Sequence, residues 1–275
     1  MQNKQAMTAL FYDFIDWPQA WYDSVRPQAT GLIVADDWRV HLNAQASQLQ
    51  LHNHLGLPLH FIPQEQLPDG TAYEAHISAS GQVPTRENLH DFFNALVWLT
   101  FPKIKRQLNA LQSAQIATLG IGKSRGPARD AATIFDENAA ILVLEDKEPG
   151  RTLLENLRQH QWQAAFVEQA ALFGTQAEVW SFGHALMEKL VKPYKAITAH
   201  TWVVWADAHF FNLEWDAKRA WLDHQIAEQL QTHDLTTADY TPLPVLGIPG
   251  WWPGQDAAFY ADTSVFRAKR HRQVA

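Results

Sequence analysis

The chain of 275 residues contains no cysteine. That excludes disulfides, thiolate nucleophiles, iron–sulfur clusters and cysteine-type zinc sites together. Any metal would have to be held by histidine nitrogen or carboxylate oxygen, a donor set that suits Zn, Fe, Mn or Mg. No uninterrupted apolar run approaches the roughly 20 residues that span a bilayer. The first residues, Met1-Gln2-Asn3-Lys4-Gln5-Ala6-Met7, lack a basic region leading into an apolar one, so no secretory leader is expected. These absences point to a cytoplasmic protein without a membrane partner. Positive charge is also in short supply. The formal net charge is −7 and the pI about 6.0, which argues against a nucleic-acid partner. There is no His-Glu-x-x-His zinc signature, no Gly-x-Ser-x-Gly nucleophile elbow, no internal repeat and no low-complexity tract.

What is present is globular. The chain is 47% hydrophobic and 19% charged, enough apolar material for a sizeable core. Twelve tryptophans are unusual for this length. They can serve as packing anchors or line a pocket that stacks a planar ligand. Length alone allows one large domain or two small ones. We expect a single domain over 1–275, with 240–275 as an irregular wrapping segment. Pro242, Pro244, Gly247, Pro249, Gly250, Pro253 and Gly254 crowd that stretch.

Periodicity predicts the elements. Strands are expected at Gly31–Ala35, Arg39–Leu42, Leu59–Pro63 and Ala72–Ser78, then at Ala139–Glu145 and Ala196–Trp205. Helices are expected from Leu89, over Ile104–Ile116, over Ala128–Phe135, at 152–160 and 161–173, over Gly183–Val191 and over Leu213–Leu230. Pro102 kinks the first of these or starts a new helix at its first position. Helices dominate and the strands do not alternate regularly with them. The expected class is therefore α+β, mostly helical with one modest sheet; a doubly wound α/β fold is the alternative.

The chemistry concentrates between Val83 and Asn138. Asn88 is a plausible N-cap. Behind it His90 and Asn94 stand four residues apart with Asp91 between them, on one polar edge of an otherwise apolar helix. An imidazole beside a carboxylate on a rigid element suits acid–base work or metal binding. The structural alternative is that these groups satisfy helix ends. Adjacent His-Asp ligands also occur in metal phosphohydrolases. Those need a further upstream histidine, nominally His52, His54, His60 or His76, and a downstream aspartate such as Asp130, on an all-helical scaffold. The strands expected upstream argue against that match.

Arg129, Asp130, Asp136 and Glu137 flank the next helix. Paired carboxylates can share acid and base roles or bind a hard cation. They can equally form arginine ties between helices. Lys103, Lys105, Arg106, Lys123, Arg125 and Arg129 follow one another with no acid until Asp130. Arg86 and Arg129 can each grip a phosphate or carboxylate with two parallel N–H groups, or pair with Asp91 or Asp136. Gly120-Ile121-Gly122-Lys123-Ser124 has the end of a phosphate-binding loop, but Ala117 stands where that loop needs glycine, and Gly126-Pro127 interrupts the helix that should follow. A looser anion nest there stays open. Farther on, His184 and Glu188 share a helical face, with His200 on the next strand.

Arg86-Glu87-Asn88-Leu89-His90-Asp91-Phe92-Phe93-Asn94-Ala95-Leu96-Val97-Trp98-Leu99-Thr100-Phe101-Pro102-Lys103 resembles the signature of a bacterial family catalogued as domain of unknown function 3025. Arg129-Asp130, Asp136-Glu137, Phe182-Gly183-His184-Ala185 and Val245-Leu246-Gly247-Ile248-Pro249-Gly250-Trp251 fit it too. The resemblance covers most of the chain and implies a bacterial, proteobacterial source. It brings no activity with it. From the residues, the expected catalytic set is His90, Asp91, Asp130, Asp136 and Glu137. The expected ligand-binding set is Arg86, Asn94, Arg129, Arg125, Lys123 and His184. The leading reading is a hydrolase or group transferase for a small anionic, phosphate-bearing substrate, with or without a divalent metal bound by His, Asp or Glu. The competing reading is a non-catalytic protein whose tryptophans form a ligand or partner groove.

Overall fold

A computed structural model describes residues 10–120 and 126–269. Lys123, Arg125 and all of the glycine-rich nest except Gly120 lie outside the described residues. Helix outweighs strand, 52% against 14%, and the strands form two small sheets, so the protein is α+β.

The N-terminal part is helical where strands were expected. Gly31–Ala35 runs off the end of α1 (Arg26–Leu32), and Arg39–Leu42 lies inside α2 (Trp38–Gln48). A short apolar run does not distinguish a strand from a buried helical turn, and end signals settled the matter. Pro27 sits in the first turn of α1. Asp37 caps α2, its carboxylate accepting from Arg39 N at 3.0 Å and Val40 N at 3.1 Å. After β1 (His60–Pro63), Ala72–Ser78 forms most of α3 (Tyr73–Ser80), not a strand; Gly81, at φ +73°, ends it in the left-handed conformation. The chain then enters β2 (Gln82–Thr85), parallel to β1, which the sequence hid behind Pro84.

Next come α4 (Leu89–Thr100) and α5 (Pro102–Leu119), with Pro102 starting the second of them, and then α6 (Pro127–Asn138). Directly after α6 runs β3 (Ala139–Glu145), every residue of which is buried. That is why it reads as an unbroken apolar run: both faces are covered. Helix α7 (Glu148–Arg158) follows, but 161–173 holds only a π turn and a 3-10 turn.

Strand β4 (Ala177–Ser181), absent from the sequence reading, leads into the short α8 (His184–Lys189). Strand β5 (Thr198–Ala206), the long α9 (Trp215–Thr232), β6 (Thr241–Pro244) and α10 (Ala257–Tyr260) complete the order. The four-stranded sheet runs β4-β3-β5-β6, so β3 and β5 are its interior strands, parallel to each other. The stretch from Tyr240 is therefore not irregular throughout. Pro242 and Pro244 fit β6 because it pairs on one side only. Buried side chains from all these elements, including Phe92, Phe93, Phe135, Ile141 and Phe182, form one contiguous cluster.

Candidate functional site

Helix α4 starts as its sequence dictates. The Asn88 side chain accepts from Asp91 N at 2.8 Å. Asp91, three residues on, turns back toward the preceding segment. Its Oδ2 accepts from Arg86 N at 2.7 Å and Arg86 Nε at 3.0 Å, and its Oδ1 from Arg86 Nη2 at 3.0 Å. Asp91 is thus a structural clamp on the helix entrance, and Arg86 pairs with it.

The next helix supplies a side chain the sequence reading missed as a site residue. Lys105, in the first turn of α5, is buried at 3% exposure. Its Nζ donates to Asn94 Oδ1 at 2.8 Å and to Asp136 Oδ1 at 2.5 Å, and it lies 5.2 Å from the Trp98 ring centroid. Burial alone would raise the Asp136 carboxyl, but the Lys105 ammonium outweighs it and holds the group below its ordinary range. Asn94 in turn donates through Nδ2 to the Tyr73 hydroxyl at 3.0 Å. A lysine in a basic run reads as solvated. The available signal was its apolar company, Ile104 and Leu108, directly after a helix-starting proline.

Helix α8 brings His184 to His90 of α4. The Cα of Gly183 lies flat against the junction of α6 and β3. A Cβ there would sit 2.5 Å from Glu137 O and 2.6 Å from Asn138 N and Ala139 N. Only glycine permits that approach, and it pins His184 beside α4 and α6. His184 Nε2 and His90 Nε2 are 3.1 Å apart, with the rings at 84°. His90 Nδ1 meets Glu188 Oε2 at 2.9 Å. Each contact needs one proton between its two heavy atoms. His184 Nδ1 is buried and has no hydrogen-bond partner among the described residues; Asp136 Oδ2 lies 3.8 Å away. Burial pushes the His184 imidazole down to about 4, so it is neutral near pH 7. His90, by contrast, leaves 35% of its side chain exposed.

Arg86, His90, Asp91, Asn94, Asp136 and His184 line one cavity of about 360 Å³, together with Gln64, Leu67, Tyr73, Glu74, Gln112, Arg129, Thr133 and Glu137; Lys105 and Glu188 stand behind that wall. Of the expected site residues, the fold gathers His90, Asp91, Asn94, Arg86, Arg129, Asp136, Glu137 and His184 here. Asp130 is exposed and does not line the cavity. Thr133 directs its hydroxyl to Arg129 O, 2.9 Å away. Among the described residues the Arg129 side chain forms no ion pair, and its buried Nε has no hydrogen-bond partner. His200 lies elsewhere, 3.0 Å from Asn138 Nδ2.

The donor set does not suit a divalent cation. Among the described residues no three His, Asp or Glu side chains are grouped to hold one. The carboxylates nearest the histidines are engaged: Asp136 by Lys105 and Asp91 by Arg86. The engagement of Asp91 also removes the ligand that the metal-phosphohydrolase comparison required.

The class is therefore an α+β protein with a polar cavity between its central helices, built on a buried lysine–aspartate pair and two histidines in contact. Residues 59–270 match the family model described as "Protein of unknown function (DUF3025)", and the chain belongs to that family. No curated protein and no solved structure matches the chain.

Proposed function

We propose that this cavity is the active site of a cytoplasmic bacterial hydrolase or group transferase acting on a small oxyanion-bearing substrate, with His90 as its acid–base group. The observation that carries the reading is the Glu188–His90–His184 chain at the cavity wall. A carboxylate orients one ring nitrogen of an accessible imidazole, while the other shares a proton with His184 in a replaceable contact. Arg129, the cavity cation without a carboxylate partner among the described residues, holds the substrate anion. The Tyr73 hydroxyl accepts from Asn94 and keeps its own proton to donate. Lys105 and Asp136 neutralise each other and keep Asn94 in place. No step is assigned to a metal.

The test is turnover of a panel of phosphate and carboxylate esters by wild type, His90→Gln and Glu188→Gln. A general acid–base group accounts for roughly 100- to 10,000-fold in rate, so His90→Gln should lose at least 100-fold and keep its melting temperature. Absence of turnover of any anionic ester by wild type, or equal turnover by His90→Gln, would refute the reading.

The second reading, a non-catalytic binding protein, draws on a separate cavity of about 380 Å³ whose lining includes Trp180, Trp215 and Trp251. Quenching of tryptophan fluorescence by a planar ligand, lost in Trp251→Ala, would favour it.

A further inference from the structure

Glu74 lines the same cavity and has no role in the reading above. It stands in the first turn of α3, where its Oε2 accepts from Asn109 Nδ2 at 2.7 Å. Among the described residues its Oε1 makes no hydrogen bond. Asn109 is itself held, since the same Nδ2 donates to Glu74 O at 2.9 Å. The neighbourhood contains two carboxyls, the half-buried Glu74 and the buried Asp136, but one buried ammonium. Lys105 directs its hydrogen bonds to Asp136 and Asn94, and its remaining face to Trp98. At the wall of such a cavity a second carboxylate that shares its surroundings with Asp136 and has no ion-pair partner is disfavoured, and taking up a proton relieves it.

We propose that Glu74 is a neutral acid in the empty cavity and donates its Oε1 proton to a bound oxyanion, opposite the Arg129 guanidinium. The proposal rests on the reading of this cavity as an oxyanion site and adds what that reading lacked, a second donor whose presence depends on pH. The charged and titratable groups around Glu74 are Lys105 on α5, Asp136, Arg129 and Glu137 on α6, Tyr73 beside it on α3, Arg86, and His90, Asp91 and His184 on the α4 and α8 side of the cavity. Burial raises the Glu74 carboxyl most, and Asp136 raises it further; Lys105, Asn109 and Arg129 oppose them without cancelling them. No bond is made or broken on binding. The proton stays on Glu74 and is shared with the anion. When Glu74 ionises, the donor becomes a repelling charge, so affinity for a fixed anion must fall.

Sulfate is the probe, because it does not change charge between pH 5 and 9. Its affinity is measured calorimetrically across that range for wild type, Glu74→Gln, His90→Gln and Arg129→Lys. For wild type, affinity should fall by about tenfold per pH unit above the point where Glu74 ionises, as one linked proton requires. Glu74→Gln keeps the shape and an N–H donor at every pH, so it should remove that fall. His90→Gln should preserve it. A fall unchanged in Glu74→Gln, or abolished in His90→Gln, overturns the proposal while the oxyanion reading stands, provided Arg129→Lys binds more weakly. If wild type binds no sulfate even at pH 5, the oxyanion reading fails and the proposal with it. Carboxyl carbon NMR of unmodified protein gives an independent readout. One glutamate should titrate above the ordinary 4.5, and a protein in which none does overturns the proposal.

Discussion

Two buried aspartates show how this protein handles charge in its interior. Asp136 faces the cavity and meets an ammonium at 2.5 Å. Asp223 lies where α9 crosses the start of α5, and its partners are backbone groups: Lys103 N at 3.0 and 3.2 Å, Ile104 N at 3.0 Å. The first is held below its ordinary range. The second is pushed up to about 6 by burial, against the pull of those two N–H groups and of Arg219. Both accept hydrogen bonds. A helix N-terminus carries only about half a positive charge, and that does not replace a full cation in a desolvated setting. The cavity side thus holds an ion pair and the α5–α9 junction is an ordinary cap.

The largest effect that would break the comparison is at Lys105. Lys105→Met leaves Asp136 enclosed without its cation and should cost about 3–5 kcal/mol in urea unfolding. Adding Asp136→Leu to that variant should restore much of the loss. A single variant as stable as wild type would mean that the pair adds nothing. Asp223→Ala, which removes a cap and no ion pair, should cost only about 1 kcal/mol.

Acid titration sharpens the contrast further. His184 sits near 4 in the fold and near 6.5 unfolded. Between those values the unfolded chain takes up a proton that the fold refuses. Acidification therefore removes stability, about 3 kcal/mol by pH 4. Asp223 has the opposite sign: near 6 folded and 3.8 unfolded, so the fold gains the proton first and acidification stabilises it by about 3 kcal/mol. The two nearly cancel. Compared with wild type at pH 6.5, 5 and 4, His184→Gln should become relatively more stable on acidification and Asp223→Asn relatively less. Parallel curves for both variants would contradict the assignment.

The smallest stability effects belong to groups facing the cavity. His90→Gln should change unfolding free energy by less than about 1 kcal/mol, because about a third of the side chain is exposed. A loss of several kcal/mol would instead mark His90 as structural. Arg129→Lys should be near neutral in stability, yet should weaken anion binding because an ammonium cannot reproduce a two-pronged contact. Equal binding by that variant would make Arg129 a bystander.

How much of this was legible depended on how local the cause was. Asn88 and Pro102 announce helix starts through their own chemistry, and both starts fall where expected. Gly31–Ala35 and Ala72–Ser78 misled because stretches of only five and seven residues fit either period. Strand β4 was invisible because Glu178 and Trp180 alternate with Ala177, Val179 and Ser181 over only five residues. In the cavity, the His90–Asn94 spacing and the α6 carboxylates were readable, but their partners were not. Asp91 and Arg86 pair across five residues, whereas Glu188 reaches His90 across 98 and Asp136 reaches Lys105 across 31.

By itself the chain determined what depends on short-range sterics and composition. That covers the absence of thiol chemistry, the helix caps, the buried interior strands β3 and β5, and the residue types available for a site between Val83 and Asn138. Tertiary structure alone decided which of them meet. Close approach at Gly183 puts His184 against His90, and burial turns Lys105 inward to Asp136. Glu74 is left without an ion pair among the described residues. Charge in a low-dielectric interior is governed by neighbours distant in sequence, and spacing along the chain carries no record of them.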